Sequence, residues 1–372
     1  MKKYTYYFGW LTGAIGTVLG VVGVIEFFEN ESVTFKLILL GSLFLAIAVL
    51  SVIITIIANK RERNLDDGFI GDKSIMIIEN KKYLSTMYKN HEYNDVCNIG
   101  SVFSRVFYIA AAYKSRYTIC VMVFKSADHL KRDKLCASTL MDLGWTALLL
   151  KKNNFKCFDY NGIQYDSPDD FFKQSIVYAE KIQDYALVSK AYRHLSGYYL
   201  TIGDYETAMT YRKTSEEFLN KMEDGIDKKT LFANLIYADA ETAFLRKKYD
   251  EALSLCERAD RLKQGVDEEV REIRYYAQRG KINLAQKRIE DAANMFLKGL
   301  DSAKKLKRID EITKNTYGYA ICLILTGRKS EAEHNVKSLL KKYGDIPLFI
   351  SDDYLKVEYR RVLTKHSSEQ EE

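Results

Sequence analysis

Residues Tyr192–Ser215, YRHLSGYYLTIGDYETAMTYRKTS, read as two helices joined by a tight turn. Tyr192, Leu195 and Tyr199 fall three and four apart, so they share one face of the first helix, with small Ser196 beside them. Gly203-Asp204 supplies the turn, and Tyr205, Ala208 and Tyr211 continue the apolar face on the second helix. Alanine at 208 lets the two helices approach closely, while Tyr205 fills the gap at the turn. One such unit cannot bury its own apolar face, so neighbours of the same kind are required.

The neighbours are present. Tyr249-x2-Ala252-x3-Cys256-x2-Ala259 repeats the second half, as do Ile289-x2-Ala292-x3-Phe296-x2-Gly299 and Lys329-x2-Ala332-x3-Val336-x2-Leu339. The small markers at 208, 252, 292 and 332 are 44, 40 and 40 residues apart. Upstream, Lys156 and Arg116 take the equivalent places in two degenerate units, and LMDLGWTALLL offers a good first helix with Leu143-Gly144 at its centre. The pattern aromatic-x2-Leu-small-x2-Tyr followed by Gly-x-Tyr-x2-Ala resembles the tetratricopeptide repeat. That resemblance implies an all-α fold, an α-solenoid of about six helix pairs over 74–345. Its period near 40 exceeds the standard length of about 34, so the helices are expected to be longer by about a turn.

Charged residues make up 28% and apolar residues 47% of the 372-residue chain, the balance of a folded protein. Two prolines in such a length fit a chain that is helical almost throughout, because proline breaks helix interiors. The net charge of +6 is spread along the sequence, without the concentrated basic stripe of a nucleic-acid binder. Cys97, Cys120, Cys136, Cys157, Cys256 and Cys322 include no CxxC pair and mostly suit a helix face, so buried free thiols and a reducing compartment are expected.

Two apolar stretches open the chain. Phe8–Phe28 is apolar except for Glu26, and Leu37–Ala58 carries no charge. Twenty-two residues at 1.5 Å each reach about 33 Å, enough for a hydrocarbon core of about 30 Å. Residues 1–58 are therefore read as a transmembrane helical hairpin with an acidic connector. A cleaved signal peptide is the alternative for the first stretch, but a second follows at once and no A-x-A site intervenes. Lys2 and Lys3 precede the hairpin and Lys60, Arg61 and Arg63 follow it, which places both termini in the cytoplasm. In a bacterium the membrane would be the inner one. Gly9, Gly13, Gly16, Gly20 and Gly23 line one face of the first span and suit close packing in lipid, either on the second span or between protomers as a homo-oligomer.

Residues 59–73 form a linker broken by Gly68 and Gly71, and Ile75–Tyr88 is a leading helix that caps the array. The run 157–170, CFDYNGIQYDSPDD, is an irregular insertion in which Asp169 caps the helix that follows. A final helix is expected within 346–364, covering the last repeat, ahead of a polar disordered tail at 365–372.

No chemistry stands out. There is no GxxxxGK[ST], no strand leading into GxGxxG, no HExxH, no GxSxG and no kinase motif set. Acidic pairs such as Asp169-Asp170, Glu216-Glu217 and Glu268-Glu269 read as solvated surface. Neither an enzyme nor a cofactor or metal site is expected.

What remains is a binding surface, since the first helix of each pair lines the concave side of such a solenoid. Counted from the turn, the groove positions that the resemblance implies are Lys190, Arg193, His194 and Gly197 on the best repeat. Asn234, Tyr237 and Glu241 follow on the next, then Arg274 and Lys281, then Lys314 and Tyr317, with Trp145 and Arg105 upstream. Basic groups among amides and aromatics suit an acidic peptide or a free C-terminal carboxylate; the alternative is a set of solvated helix faces. Some tetratricopeptide proteins clamp a terminal carboxylate with Lys, Asn and Arg. Asn234 falls on a different turn from the clamp asparagine, so that function is not carried over.

The reading is a membrane-anchored adaptor that recruits an acidic protein or peptide. Its runner-up is a signalling or defence effector, whose array senses a partner while the hairpin oligomerises to perturb the membrane. An assembly factor for envelope proteins would share the adaptor mechanism.

Overall fold

A computed structural model describes residues 69–150, 155–262, 268–348 and 350–368. Ile70–Glu372 forms one compact unit. The proposed hairpin, its glycine face, the linker up to residue 68 and the last four residues lie outside the described residues. Among the described residues, no helix is long and apolar enough to cross a membrane.

Fourteen helices and one small hairpin account for the described elements. Helix α1 (Phe69–Lys89) leads, and six antiparallel pairs follow. They are α2 (Tyr93–Ile109) with α3 (Tyr113–His129), α4 (Asp133–Leu150) with α5 (Pro168–Lys181), and α6 (Tyr185–Thr201) with α7 (Tyr205–Asn220). Then come α8 (Ile226–Leu245) with α9 (Tyr249–Leu262), α10 (Glu268–Ala285) with α11 (Ile289–Lys305), and α12 (Ile309–Leu325) with α13 (Lys329–Tyr343). A single helix, α14 (Ile350–Ser368), closes the chain. Each helix packs on its partner and most pairs pack on the next, an all-α repeat-like array compatible with a solenoid.

The turns explain the regularity. Nine connectors are three residues long, and the middle residue of each has positive φ: His91, Ala111, Lys131, Gln183, Gly203, Lys247, Lys287, Lys307 and Gly327. In the α2–α3 turn the Ala112 amide donates to Phe107 O at 2.8 Å and Ala111 to Tyr108 O at 3.0 Å, and the others repeat this Schellman geometry. Five residues after the left-handed residue stand Ala208, Ala252, Ala292 and Ala332, all buried at the approach of two helices. Seven residues before it stand Ser104, Ser196, Ala240, Gly280 and Ala320 on the first helices.

Two upstream pairs depart from this pattern. Arg116 holds the marker position on α3, buried, and is neutralised by Asp142 at 2.7 Å with Thr146 Oγ1 also at 2.7 Å. Lys156 is not a marker, because the insertion separates α4 from its partner and the fourth residue of α5 is Phe171. The insertion itself is ordered: β1 (Phe158–Tyr160) pairs antiparallel with β2 (Ile163–Tyr165). Asn161 and Gly162 both have positive φ, as a two-residue hairpin turn demands. Tyr165 then stacks between Phe158 and Phe171, with centroids at 4.8 and 4.9 Å. The cap of α5 is Ser167 rather than Asp169, with Pro168 at the first position and Asp170 accepting from the Ser167 amide at 2.8 Å.

Sequence-distant pairs also meet. The Arg308 guanidinium lies 5.3 Å from the Tyr108 ring, and Ile346 packs on the cluster containing Tyr113, Tyr117 and Phe171. The α12–α13 end of the array thus touches α2–α3 directly. Between α7 and α8 a small apolar cluster of Leu219, Leu231 and Leu235 is joined by a polar contact in which Arg212 grips Asp239 with two bonds, at 2.9 and 2.7 Å.

Candidate functional site

The thirteen groove positions fall on the first helices α2, α4, α6, α8, α10 and α12. Their surroundings differ. Arg105 is exposed on α2. His194, Tyr237, Lys281, Lys314 and Tyr317 are buried, whereas Trp145, Lys190, Arg193, Asn234 and Arg274 are partly open.

A first cluster spans α4, α6, α8 and α10. The Trp145 indole donates to His194 Nε2 at 3.1 Å, so that nitrogen is unprotonated, and His194 stacks on Phe172. Burial holds the imidazole well below the usual histidine range, and the positive charges of Arg193, Lys190 and Arg274 push the same way. Burial likewise lowers Lys190, with Arg193 adding to it. Arg193 is brought down to about 10, by burial first and by Arg274 second, against an opposing pull from Glu241. Arg274 is better served: its guanidinium lies 3.4 Å from Glu241 and over the Tyr237 ring at 5.6 Å. Among the described residues, no carboxylate stands within ion-pair distance of Lys190 or Arg193. The negative charges acting on Lys190 are those of Asp184 and Asp227. Three cations therefore share a partly buried face with too few anions, a situation that favours an incoming carboxylate or other anion.

A second cluster lies on α10 and α12. Lys281 Nζ is 2.6 Å and Lys314 Nζ 2.9 Å from the two oxygens of Asp352, and Lys314 is also 3.1 Å from Glu311. All four side chains are at most 10% exposed. Burial works against the Asp352 carboxylate, yet the two ammonium groups hold it far below its usual range. Asp352 belongs to α14, whose Tyr354 meets Phe244 of α8 and whose Tyr359 meets Tyr317 of α12. The final helix therefore does more than cover the last pair. It crosses the first-helix face of the last three pairs and fills that part of the predicted groove.

Sequence reasoning assigned the face but not its occupant. The periodic Asp352, Leu355, Tyr359 and Val362 along one stripe of α14 was the available signal. Five cysteines are buried and Cys157 is exposed; burial pushes the Cys120, Cys136, Cys256 and Cys322 thiols up to about 12. No family model matches the chain, and no curated protein matches it.

Proposed function

We propose that the chain is a membrane-anchored adaptor of the tetratricopeptide type, which recruits an acidic protein or peptide to the cytoplasmic face of a membrane. The observation that carries this reading is the cluster of Lys190, Arg193 and Arg274, partly open on one face and under-neutralised by Glu241. The tetratricopeptide character is supported by six helix pairs with a small residue at a fixed distance after the turn in four of them. The anchor is supported by the apolar stretches 8–28 and 37–58 and the basic residues flanking them. Fixing the array at the membrane raises the local concentration of whatever it binds.

The test is co-purification with the full-length, detergent-solubilised protein against a variant carrying Lys190→Glu, Arg193→Glu and Arg274→Glu. A partner recovered with the native chain and lost with an equally stable variant is the expected result. Equal recovery from both removes this face from consideration. The effector reading rests on the glycine face at 9, 13, 16, 20 and 23. Depolarisation on induced expression, read with a potential-sensitive dye, would favour it over the adaptor.

A further inference from the structure

The last helix departs from the repeat. After α13 the chain does not make another three-residue turn; Gly344, at φ 72°, opens a longer segment through Asp345 and Pro347. Helix α14 then packs on α12, a first helix, and reaches α10 and α8 beyond it. A cap that extended the stack would pack on the last pair alone, whereas this helix spans three first helices.

Its contacts have the form of a bound peptide. Asp352, Leu355, Tyr359 and Val362 are spaced three, four and three, so they form one stripe, and all four are buried. Asp352 sits between Lys281 and Lys314 as the charged anchor, while Leu355, Tyr359 and Val362 enter the apolar cluster of α10, α11, α12 and α13. Tyr354, beside the stripe, packs on the cluster of α8 and α9. The opposite side keeps Val357 and Arg361 in solvent, with Arg361 bonded to Glu358. An amphipathic helix read by anchors at such intervals is the helix-in-groove mode of recognition.

The charge balance shows what the face takes in its place. Lys281, Lys314, Glu311 and Asp352 are neutral together. Without Asp352 the two ammonium groups lose the carboxylate that they share. A buried ion pair contributes little net stability over apolar packing, but it penalises any partner that lacks the charge. The arrangement selects an occupant with a carboxylate at this point and binds it reversibly.

We propose that the first-helix face of α8, α10 and α12 is a docking site for an amphipathic helix of a partner protein that presents a carboxylate between Lys281 and Lys314, and that α14 occupies it in cis until such a helix displaces it. The proposal rests on the adaptor reading in that it treats the array as a binding platform, and it names the partner's chemistry: a carboxylate, followed at three, seven and ten residues by aliphatic or aromatic side chains.

The test is native-state hydrogen exchange on the full-length protein in detergent, read by mass spectrometry. The probe is a synthetic peptide of residues 350–368, alongside the same peptide with Asp352→Asn. The α14 amides should exchange through an opening that leaves α10 and α12 protected. Adding the peptide should speed α14 exchange saturably, and the asparagine peptide should need a concentration higher by roughly tenfold or more, as loss of a buried charged partner implies. A chain carrying Lys281→Met and Lys314→Met should lose that discrimination; should it fail to fold, the comparison of the two peptides on the native chain still decides. Exchange of α14 in step with α12, or an opening indifferent to both peptides, would overturn the proposal and leave α14 a structural cap. Peptide displacement that persists while the Lys190, Arg193 and Arg274 variant keeps its partner would sink the adaptor face alone.

Discussion

Asp352 Oδ1 lies 2.6 Å from Lys281 Nζ across a separation of 71 residues, the contact that ties the last helix to the face of the array. Asparagine at 352 would remove the carboxylate that the two buried ammonium groups share, and removing one partner of a buried pair costs about 3–5 kcal/mol. Urea unfolding should show a loss of that order for Asp352→Asn. Replacing Lys281, Lys314, Glu311 and Asp352 together by Met, Met, Leu and Leu should be near neutral, because desolvation of the charges offsets much of their attraction. The folded carboxyl titrates well below its ordinary 3.8. Its contribution is therefore complete above that value and is lost only as the pH falls below it.

Phe296 of α11 is wedged between two glycines, Gly280 of α10 and Gly318 of α12. A Cβ at 280 would stand 2.7 Å from the ring, and one at 318 closer still. The ring thus occupies the space that a methyl group would need on both neighbours. Gly318→Ala should destabilise by about 1–3 kcal/mol through overpacking. Phe296→Leu in the same chain should restore part of the loss, and a thermal-melt double-mutant cycle measures the coupling.

Much of this was legible in the sequence. The helix–turn–helix at 192–215 and the alanines at 208, 252, 292 and 332 fixed both the pair and its recurrence, because close approach of two helices admits only small residues there. The count of pairs followed, and so did the placing of Lys190, Arg193 and Arg274 on first helices. The turns were harder. Only Gly203 and Gly327 announce a left-handed residue, whereas Lys247 and Lys287 adopt the same conformation with no compositional sign. Lys156 was misplaced as a marker because the hairpin at 158–165 sits between the helices of a pair, not between pairs; Asn161-Gly162 among alternating aromatics was the missed cue. The burial of Tyr237 and Tyr317 could not be counted from the turn, since it depends on how neighbouring helices and α14 close over them.

His194 gives the array a pH dependence. Its folded value is depressed below the ordinary 6.5, so the unfolded chain takes up a proton that the folded chain refuses. Stability is then complete above about 6.5 and falls as the pH drops below it, with a slope of at most about 1.4 kcal/mol per pH unit. Urea midpoints taken at pH 7.5, 6.5 and 5.5 should decline for the native chain. In His194→Gln the decline should shrink by the share of this one group, and an unchanged slope would assign the effect elsewhere.

Lys287, in the turn between α10 and α11, has φ 62° and an exposed side chain. A left-handed conformation costs an L-residue roughly 1–2 kcal/mol, while glycine gives up about 0.5–1 kcal/mol in backbone entropy for adopting it freely. Lys287→Gly should therefore raise stability by a few tenths to about 1 kcal/mol. The control is Lys298→Gly, exposed in the middle of α11, where glycine should cost about 1 kcal/mol. Opposite shifts in melting temperature for two lysine-to-glycine changes eleven residues apart would show that the turn's backbone, rather than the lost charge, sets the sign. Two downward shifts would mean that the Lys287 side chain contributes more to the turn than its conformation costs.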